Sequence, residues 1–131
     1  EWGDLDYLII DLPPGTSDAP LTVMQTLNPD GFVVVSTPQE LAVLDAKRSI
    51  NMIKKMNLKV LGIVENMSGG MFGSGAAEEL SLETGVMFLG KASLRQEYID
   101  PKQPAVLESD VIKNEFAIIS QAVRDQVQKL S

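Results

Sequence analysis

The chain has 131 residues, a net charge of −7 and a pI near 4.5. This length suffices for one core, so we expect a single domain over residues 1–131. The basic residues are scattered, which argues against a nucleic-acid surface, because binding to a phosphate backbone needs clustered Lys and Arg. The sequence contains no Cys and no His, which excludes disulfides, a cysteine-held iron–sulfur cluster within this chain and a histidine base. Any chemistry must therefore use carboxylates, backbone amides or a metal.

Targeting signals are absent from the sequence. It shows no signal-peptide pattern and no apolar run near the length of a membrane span, so we expect a soluble, cytoplasmic protein with no membrane association. The chain begins with Glu1 rather than Met, and an apolar run follows within a few residues. We expect it to be a piece of a longer protein.

The most informative stretch is Leu5 to Asp18, which reads LDYLIIDLPPGTSD. The apolar run Leu8–Ile10 predicts a strand buried on both faces, as in a parallel sheet covered by helices. The Pro-Pro-Gly turn ends it at the edge where open α/β sheets bind ligands. Asp11, at that strand end, is placed to hold a cation such as Mg²⁺. The alternative, an aspartate that only caps the following helix, stays open at this point.

The rest of the chain alternates between strand and helix patterns. Continuous apolar runs predict further strands, the first of them again covered on both faces, at Phe32–Val35, Val60–Val64 and Val86–Leu89. Apolar residues at three- and four-residue steps and capping residues predict helices at Ala19–Leu27, Glu40–Met56, Ala76–Thr84 and from Ser109 or Asp110 onward. Asp18 is expected to cap the first helix and Gly85 to end the third.

Two further segments carry no helix or strand pattern. Residues 68–75 carry four glycines and predict a tightly turning or mobile loop, and residues 90–109 follow no regular pattern. The last helix carries an apolar stripe that predicts core packing, formed by Ile112, Phe116, Ile119, Val123 and Val127. The alternation of strands and helices predicts the α/β class, with a mostly parallel sheet flanked by helices on both faces.

Three segments together resemble one family. LDYLIIDLPPGTSD, VVVSTPQELAVLDAKRSINM and VLGIVENMSGGMFGSG occur in the order and spacing seen in the second half of the Mrp/ApbC-type ATPases, within the MinD/ParA class of deviant phosphate-binding-loop proteins. The resemblance covers most of the chain, strongly to about Gly90. It implies that the chain is the C-terminal part of a P-loop NTPase fold.

The resemblance also implies site residues. In this family the nucleotide sits between two subunits, and the DxPPG segment senses Mg²⁺ and the γ-phosphate. Carried over, Asp11 is the Mg²⁺-linked acid, Gly15 offers its amide to the γ-phosphate, Pro14 belongs to the same nucleotide-binding turn, and Asn66 recognises the base. The implied cofactors are ATP and Mg²⁺.

The chain departs from the family pattern in three places. No KGGVGK[ST] phosphate-binding loop occurs, so we expect the isolated chain to be inactive and to need the missing N-terminal half for ATP and Mg²⁺. The Cys-x-x-Cys pair that holds a cluster between two subunits in many members is replaced by the segment 68–71, Ser-Gly-Gly-Met. The family's Ile-Pro-x-Asp stretch is replaced by the segment 92–95, Ala-Ser-Leu-Arg, so base contacts are not carried over to Leu94 and Arg95.

The function implied by the resemblance is Mg²⁺-dependent ATP hydrolysis in the full-length parent, linked to iron–sulfur cluster carriage or assembly, with iron–sulfur client proteins as partners. Two alternatives stay open: a MinD/ParA-type positioning ATPase that acts by ATP-dependent dimerisation, and a non-catalytic interaction fragment. A chain without the central phosphate-loop strand leaves strands unpaired, so we also expect a homodimer or higher self-association.

Overall fold

The structure is a computed structural model that describes residues 2–13, 18–99 and 102–131. Helices and strands alternate along the chain from residue 18 to residue 93, and two successive helices follow. The elements are α1 (Asp18–Leu27), β1 (Phe32–Ser36), α2 (Glu40–Lys55), β2 (Val60–Ser68), α3 (Ala76–Thr84), β3 (Phe88–Ser93), α4 (Ala105–Glu108) and α5 (Asp110–Gln128). Single 3₁₀ turns occur at Gly70–Phe72 and Gln96–Tyr98.

The described strands form one parallel sheet in the order β1-β2-β3. Val34 of β1 pairs with Ile63 of β2, and Ile63 pairs with Phe88 of β3. The strands run in the same direction, so their carboxyl ends lie along one edge, the edge at which open α/β sheets bind ligands. The predicted α/β class with a parallel sheet is confirmed.

Helices pack on both faces of this sheet. One face meets α2 and α3 in a core formed by Met24, Phe32, Val34, Ala46, Ile50, Ile53, Ile63, Ala77, Leu80 and Val86. Neighbouring residues of a strand point to opposite faces, so Val64 and its partner Gly90 face away from that core. Gly90 lies against α5, where an added Cβ would stand 2.9 Å from Cγ1 of Ile119. The predicted arrangement of helices on both faces is confirmed.

The predicted first strand is absent from the described structure. Residues 2–13 form neither strand nor helix, and Ile9 is 92% exposed. The prediction that Leu8–Ile10 is a strand buried on both faces is therefore wrong here. The physical reason is that a strand needs a neighbour to satisfy its backbone groups, and this run pairs with none of the three described strands. Leu12 nevertheless packs against the core beside α2 and α3.

β1 is covered on one face rather than two. Its side chains alternate between buried and exposed, with Val33 and Val35 on the open side. The prediction of a doubly covered strand is wrong because, in the described ranges, α2 covers only the face that carries Phe32, Val34 and Ser36. The last strand also differs, since it begins at Phe88 and runs on to Ser93 where it continues to pair with β2.

The ends of α3 and α5 follow the sequence prediction, but the stripe on α5 does so only in part. Gly85 ends α3 in a left-handed conformation, and Ser109 caps α5. Ile112 is fully buried, whereas Phe116 is 41% exposed, so the core prediction is wrong for Phe116. The narrow sheet explains the difference, because within the described residues α5 packs mainly on β3 and, to a lesser extent, on β2. None of the helices in the described ranges combines the length and apolarity needed to span a bilayer.

Candidate functional site

The carboxyl end of β2 carries the predicted base-recognition residue. Asn66 is exposed there, next to the last buried positions of the central strand. Its side-chain Oδ1 accepts a hydrogen bond from the backbone N–H of Met67 at 2.9 Å. With its oxygen engaged in this way, the side chain keeps its two amide N–H groups as donors. Such donors match acceptor nitrogens on the edge of a nucleotide base.

Asn66 sits in an irregularity of the sheet. Glu65 pairs with Lys91 and Ser68 with Ser93, so three steps along β2 stand against two along β3. This is the geometry of a β-bulge, which inserts one residue and re-aims the side chains beside it. Met67 completes the bulge with a φ of 53°, in the left-handed region that is uncommon for a residue other than glycine. The bulge turns Asn66 out of the ladder at the edge of the sheet where the carboxyl ends of the strands lie.

Glu65, immediately before Asn66, is fully buried and holds the bulge from inside. Its Oε1 accepts from the Ser68 hydroxyl at 2.7 Å and from the Gly75 N–H at 3.0 Å. Its Oε2 accepts from the N–H groups of Gly75 and Ala77, each at 3.0 Å. A single carboxylate therefore joins the end of β2, the end of the glycine-rich loop and the first turn of α3.

The surroundings of Glu65 favour its ionised form. Burial alone would raise its pKa, but the N–H of Ala77, the hydroxyl of Ser68, the N–H of Gly75 and the charge of Lys91 together lower the pKa below its ordinary value. The first turn of a helix also favours a negative charge, because its free N–H groups point outward. Glu65 is thus a buried anion that is stabilised mainly by backbone donors.

The glycine-rich loop after Ser68 forms a tight turn. The Gly69 N–H donates to the Gly73 carbonyl at 2.6 Å, and Gly75 adopts a φ of 96° as it enters α3. Backbone N–H groups at such a helix entry commonly cradle phosphate. Here the carboxylate of Glu65 already occupies that position, so this loop does not serve as the phosphate cradle.

A second carboxylate network lies at the carboxyl end of β3. Glu115 of α5 accepts from the Ser93 hydroxyl at 2.6 Å and from the Ser93 N–H at 3.1 Å, and its Oε1 lies 3.6 Å from Nη2 of Arg95. Burial would raise the pKa of Glu115, but the bonds from Ser93 and the charge of Arg95 lower it. Because its guanidinium faces Glu115, Arg95 ties the segment after β3 to α5.

The segment after β3 also meets the bulge. The N–H of Leu94 donates to the carbonyl of Ser68 at 2.9 Å. This bond carries the contact between β2 and β3 beyond the last ladder pair. The bulge is consequently fixed on one side by Glu65 and on the other by the backbone of the neighbouring strand.

The other predicted site residues lie either in an irregular segment or outside the described residues. Asp11 lies in the irregular segment 2–13 with an exposed side chain, so it does not stand at the end of a strand as the sequence predicts. The reason is again the missing strand. Pro14 and Gly15 lie outside the described residues. The roles given to Asp11, Pro14, Gly15 and Asn66 stay predictions.

The metal-ligand chemistry of the described residues is sparse. No group of three or more carboxylates stands close enough to hold a metal ion in the described part of the chain. Mg²⁺ is commonly bound by one or two carboxylates together with substrate phosphates and water, and the exposed carboxylate of Asp11 has the donor type that this ion takes. Asp11 is the carboxylate that would hold it, and the ion would supply neutralisation of phosphate charge.

Glu65 is the residue that sequence reasoning missed. Because Glu65 follows the apolar run Val60–Val64, the sequence pattern indicates only an acid at the end of a strand. The signal that could have found it is the combination of a carboxylate at the end of a buried run with a glycine-rich loop leading into a helix, whose N-terminus attracts a negative charge.

Comparison with known proteins agrees with this fold. The sequence model of the ParA family, described as NUBPL iron-transfer P-loop NTPase, matches residues 1–130. The chain is 42% identical to an iron–sulfur cluster carrier protein of Methanocaldococcus jannaschii, over 97% of this chain and 49% of that protein. It is 45% identical to the cytosolic Fe-S cluster assembly factor CFD1 of Eremothecium gossypii, over 87% of this chain and 43% of that protein. The chain thus spans about half the length of these relatives.

Solved structures give the same picture. A nucleotide-binding protein from Archaeoglobus fulgidus, in complex with ADP, superposes with a TM-score of 0.65 at 44% identity, covering 75% of this chain and 44% of that one. The cell division ATPase MinD of Pyrococcus furiosus superposes with a TM-score of 0.72 over 96% of this chain and 53% of that one, at 23% identity. The second similarity supports the fold alone.

Proposed function

Because the chain belongs to the ParA family of P-loop NTPases, we propose that it is the C-terminal, nucleotide-sensing portion of an Mrp-type ATPase. The full-length protein that carries it hydrolyses ATP with Mg²⁺ and serves in iron–sulfur cluster carriage or assembly in the cytosol. The observation that carries the proposal is the exposed Asn66, turned out of the central strand by a bulge at the ligand-binding edge.

The proposed division of labour follows from the residues present. This chain supplies Asn66 for the base, Asp11 for Mg²⁺, and Pro14 and Gly15 for the nucleotide with its γ-phosphate. The phosphate cradle comes from a segment outside this chain, because no P-loop motif occurs in it and Glu65 occupies the N–H groups at the entry to α3. Hydrolysis in such a site rests on positioning and on stabilisation of charge, which suits a chain without His.

The cluster-related part of the proposal rests on the relatives. Proteins named as an iron–sulfur cluster carrier and a cytosolic Fe-S cluster assembly factor share 42% and 45% identity with this chain. Since the chain has no Cys, thiolate ligands for a cluster come from outside it, either from another part of the parent or from a partner protein. Self-association of the parent through its nucleotide-binding edge belongs to the same proposal.

The test is Mg²⁺-dependent ATP hydrolysis by the full-length protein. Asp11→Asn removes the proposed Mg²⁺-linked charge and should lower turnover by about a hundredfold or more, the scale of removing one preorganised electrostatic group. Asp6→Asn is the matched control, since Asp6 is also exposed in segment 2–13, and it should keep full activity. Equal turnover in both variants would refute the role of Asp11.

A further inference from the structure

We propose that Glu65 is the positioning residue for Asn66: its carboxylate fixes the bulge that presents the base-recognition amide. This inference rests on the proposed nucleotide function and goes one step beyond it. Glu65 does not touch the ligand in this arrangement. It acts through the backbone that carries Asn66.

Glu65 and Ser68 close a hydrogen-bonded ring around the bulge. The Glu65 carboxylate and the Ser68 hydroxyl are joined at 2.7 Å, and the backbone between them contains only Asn66 and Met67. A hydrogen bond thus joins the residue before the bulge to the residue after it. This bond therefore helps to hold the segment in which Met67 adopts its left-handed conformation.

The ring formed by Glu65 and Ser68 is held rigidly by its attachment to α3. Glu65 is fully buried, and its oxygens also accept from Gly75 and Ala77. The ring is thereby anchored to α3, which itself packs against β2 and α2. A side chain held by a rigid second layer of contacts keeps its own geometry more accurately than one on a free loop. Asn66 gains this support although it is exposed.

A carboxylate suits position 65 because of the number of donors that surround it. One atom group must accept from a hydroxyl and two backbone N–H groups, at a helix N-terminus that favours negative charge. Glu offers two oxygens with about four acceptor positions, which no neutral side chain provides. An amide in its place would meet the Ser68 hydroxyl as a donor and would accept from the two N–H groups only as a neutral, weaker acceptor.

The experiment measures binding of ATP and of inorganic tripolyphosphate to the full-length protein. Tripolyphosphate has no base, so it reports the phosphate cradle alone. Glu65→Ala should weaken ATP binding about tenfold and leave tripolyphosphate binding unchanged, because a tenfold change is within the coupling found between contacting residues. Glu65→Gln should recover part of the loss. The exposed Glu78 provides the control Glu78→Ala, which should bind both ligands normally.

A second variant protects the test against misfolding of Glu65→Ala. Ser68→Ala opens the ring but leaves the bonds to Gly75 and Ala77, and it should weaken ATP binding by roughly threefold to tenfold. Ser81→Ala is its matched control, since Ser81 is also a buried serine with a bonded hydroxyl. Glu65→Ala combined with Asn66→Ala should bind ATP no more weakly than Asn66→Ala alone.

The outcomes separate this inference from the proposed function. If the wild-type protein does not bind ATP, the proposed function is wrong and this inference falls with it. If Asn66→Ala weakens ATP binding while Ser68→Ala and Glu65→Ala do not, the positioning role alone is wrong. An equal loss for ATP and tripolyphosphate would make Glu65 a general structural residue and would also overturn the inference.

Discussion

Replacing Glu65 by Gln should cost stability in a way that depends on pH. The variant can turn its amide nitrogen toward the Ser68 hydroxyl and keep its oxygen toward Gly75 and Ala77. Two backbone bonds then change from a charged to a neutral acceptor. Bonds to charged groups contribute about 1 kcal/mol more than neutral ones, so the expected loss is roughly 2 kcal/mol at neutral pH. That is a measurable share of a typical unfolding free energy of about 5–15 kcal/mol.

The pH dependence has a defined sign. The pKa of Glu65 is lowered in the folded protein, so its ionisation contributes stability that is fully present above the unfolded-state pKa of about 4.3. This contribution is lost as the pH falls through the folded pKa, where wild-type Glu65 also becomes neutral. The difference between wild type and Glu65→Gln should therefore shrink toward zero in acid.

Urea denaturation followed by circular dichroism at a series of pH values measures this difference. Glu78→Gln is the control, because Glu78 is exposed in the first turn of α3, the helix whose N-terminus Glu65 contacts. This variant should lose only a few tenths of a kcal/mol of unfolding free energy. A Glu65→Gln loss that equals the control, or one that does not change between neutral and acidic pH, would refute the account of Glu65 as a buried, ionised anchor.

Three further predictions concern Asn66, Gly90 and the exposed apolar surface. Asn66→Ala should weaken adenine nucleotide binding to the full-length protein without changing its unfolding curve, and an unchanged affinity would return Asn66 to a structural role. Gly90→Ala should destabilise by about 1–3 kcal/mol, because the added methyl group meets Ile119 and φ is 138°, while Gly85→Ala, which meets no neighbour within 4 Å, should cost less in the same denaturation experiment. The chain alone should self-associate through the open face of β1 and the exposed run Leu8–Ile10; light scattering that shows a monodisperse monomer would contradict this.

Local patterns in the sequence predicted most of the regular structure. The three- and four-residue spacing of apolar residues predicted α2, in which Ala46, Ile50 and Ile53 are buried, and Gly85 marked the end of α3. These features depend on neighbours along the chain or on one packed face. Periodicity and capping residues are therefore sufficient to predict them.

The errors arose where structure depends on distant partners. Leu8–Ile10 has the composition of a buried strand, yet composition does not supply a neighbouring strand. Phe116 follows the apolar stripe of α5, but the sheet beneath it is too narrow to cover it. The role of Glu65 was missed for a related reason, since its partners Gly75 and Ala77 come together only after α3 has packed against β2.

In the proposed function, this chain is one part of a nucleotide site whose phosphate cradle lies outside it. The most direct test is calorimetric injection of ATP and Mg²⁺ into residues 1–131 alone and into the full-length protein. The calorimeter records the heat of binding and the continuing heat of hydrolysis. We expect binding and turnover with the full-length protein, and little affinity and no turnover with the isolated chain. Hydrolysis by the isolated chain that is abolished by Asp11→Asn would contradict the claim.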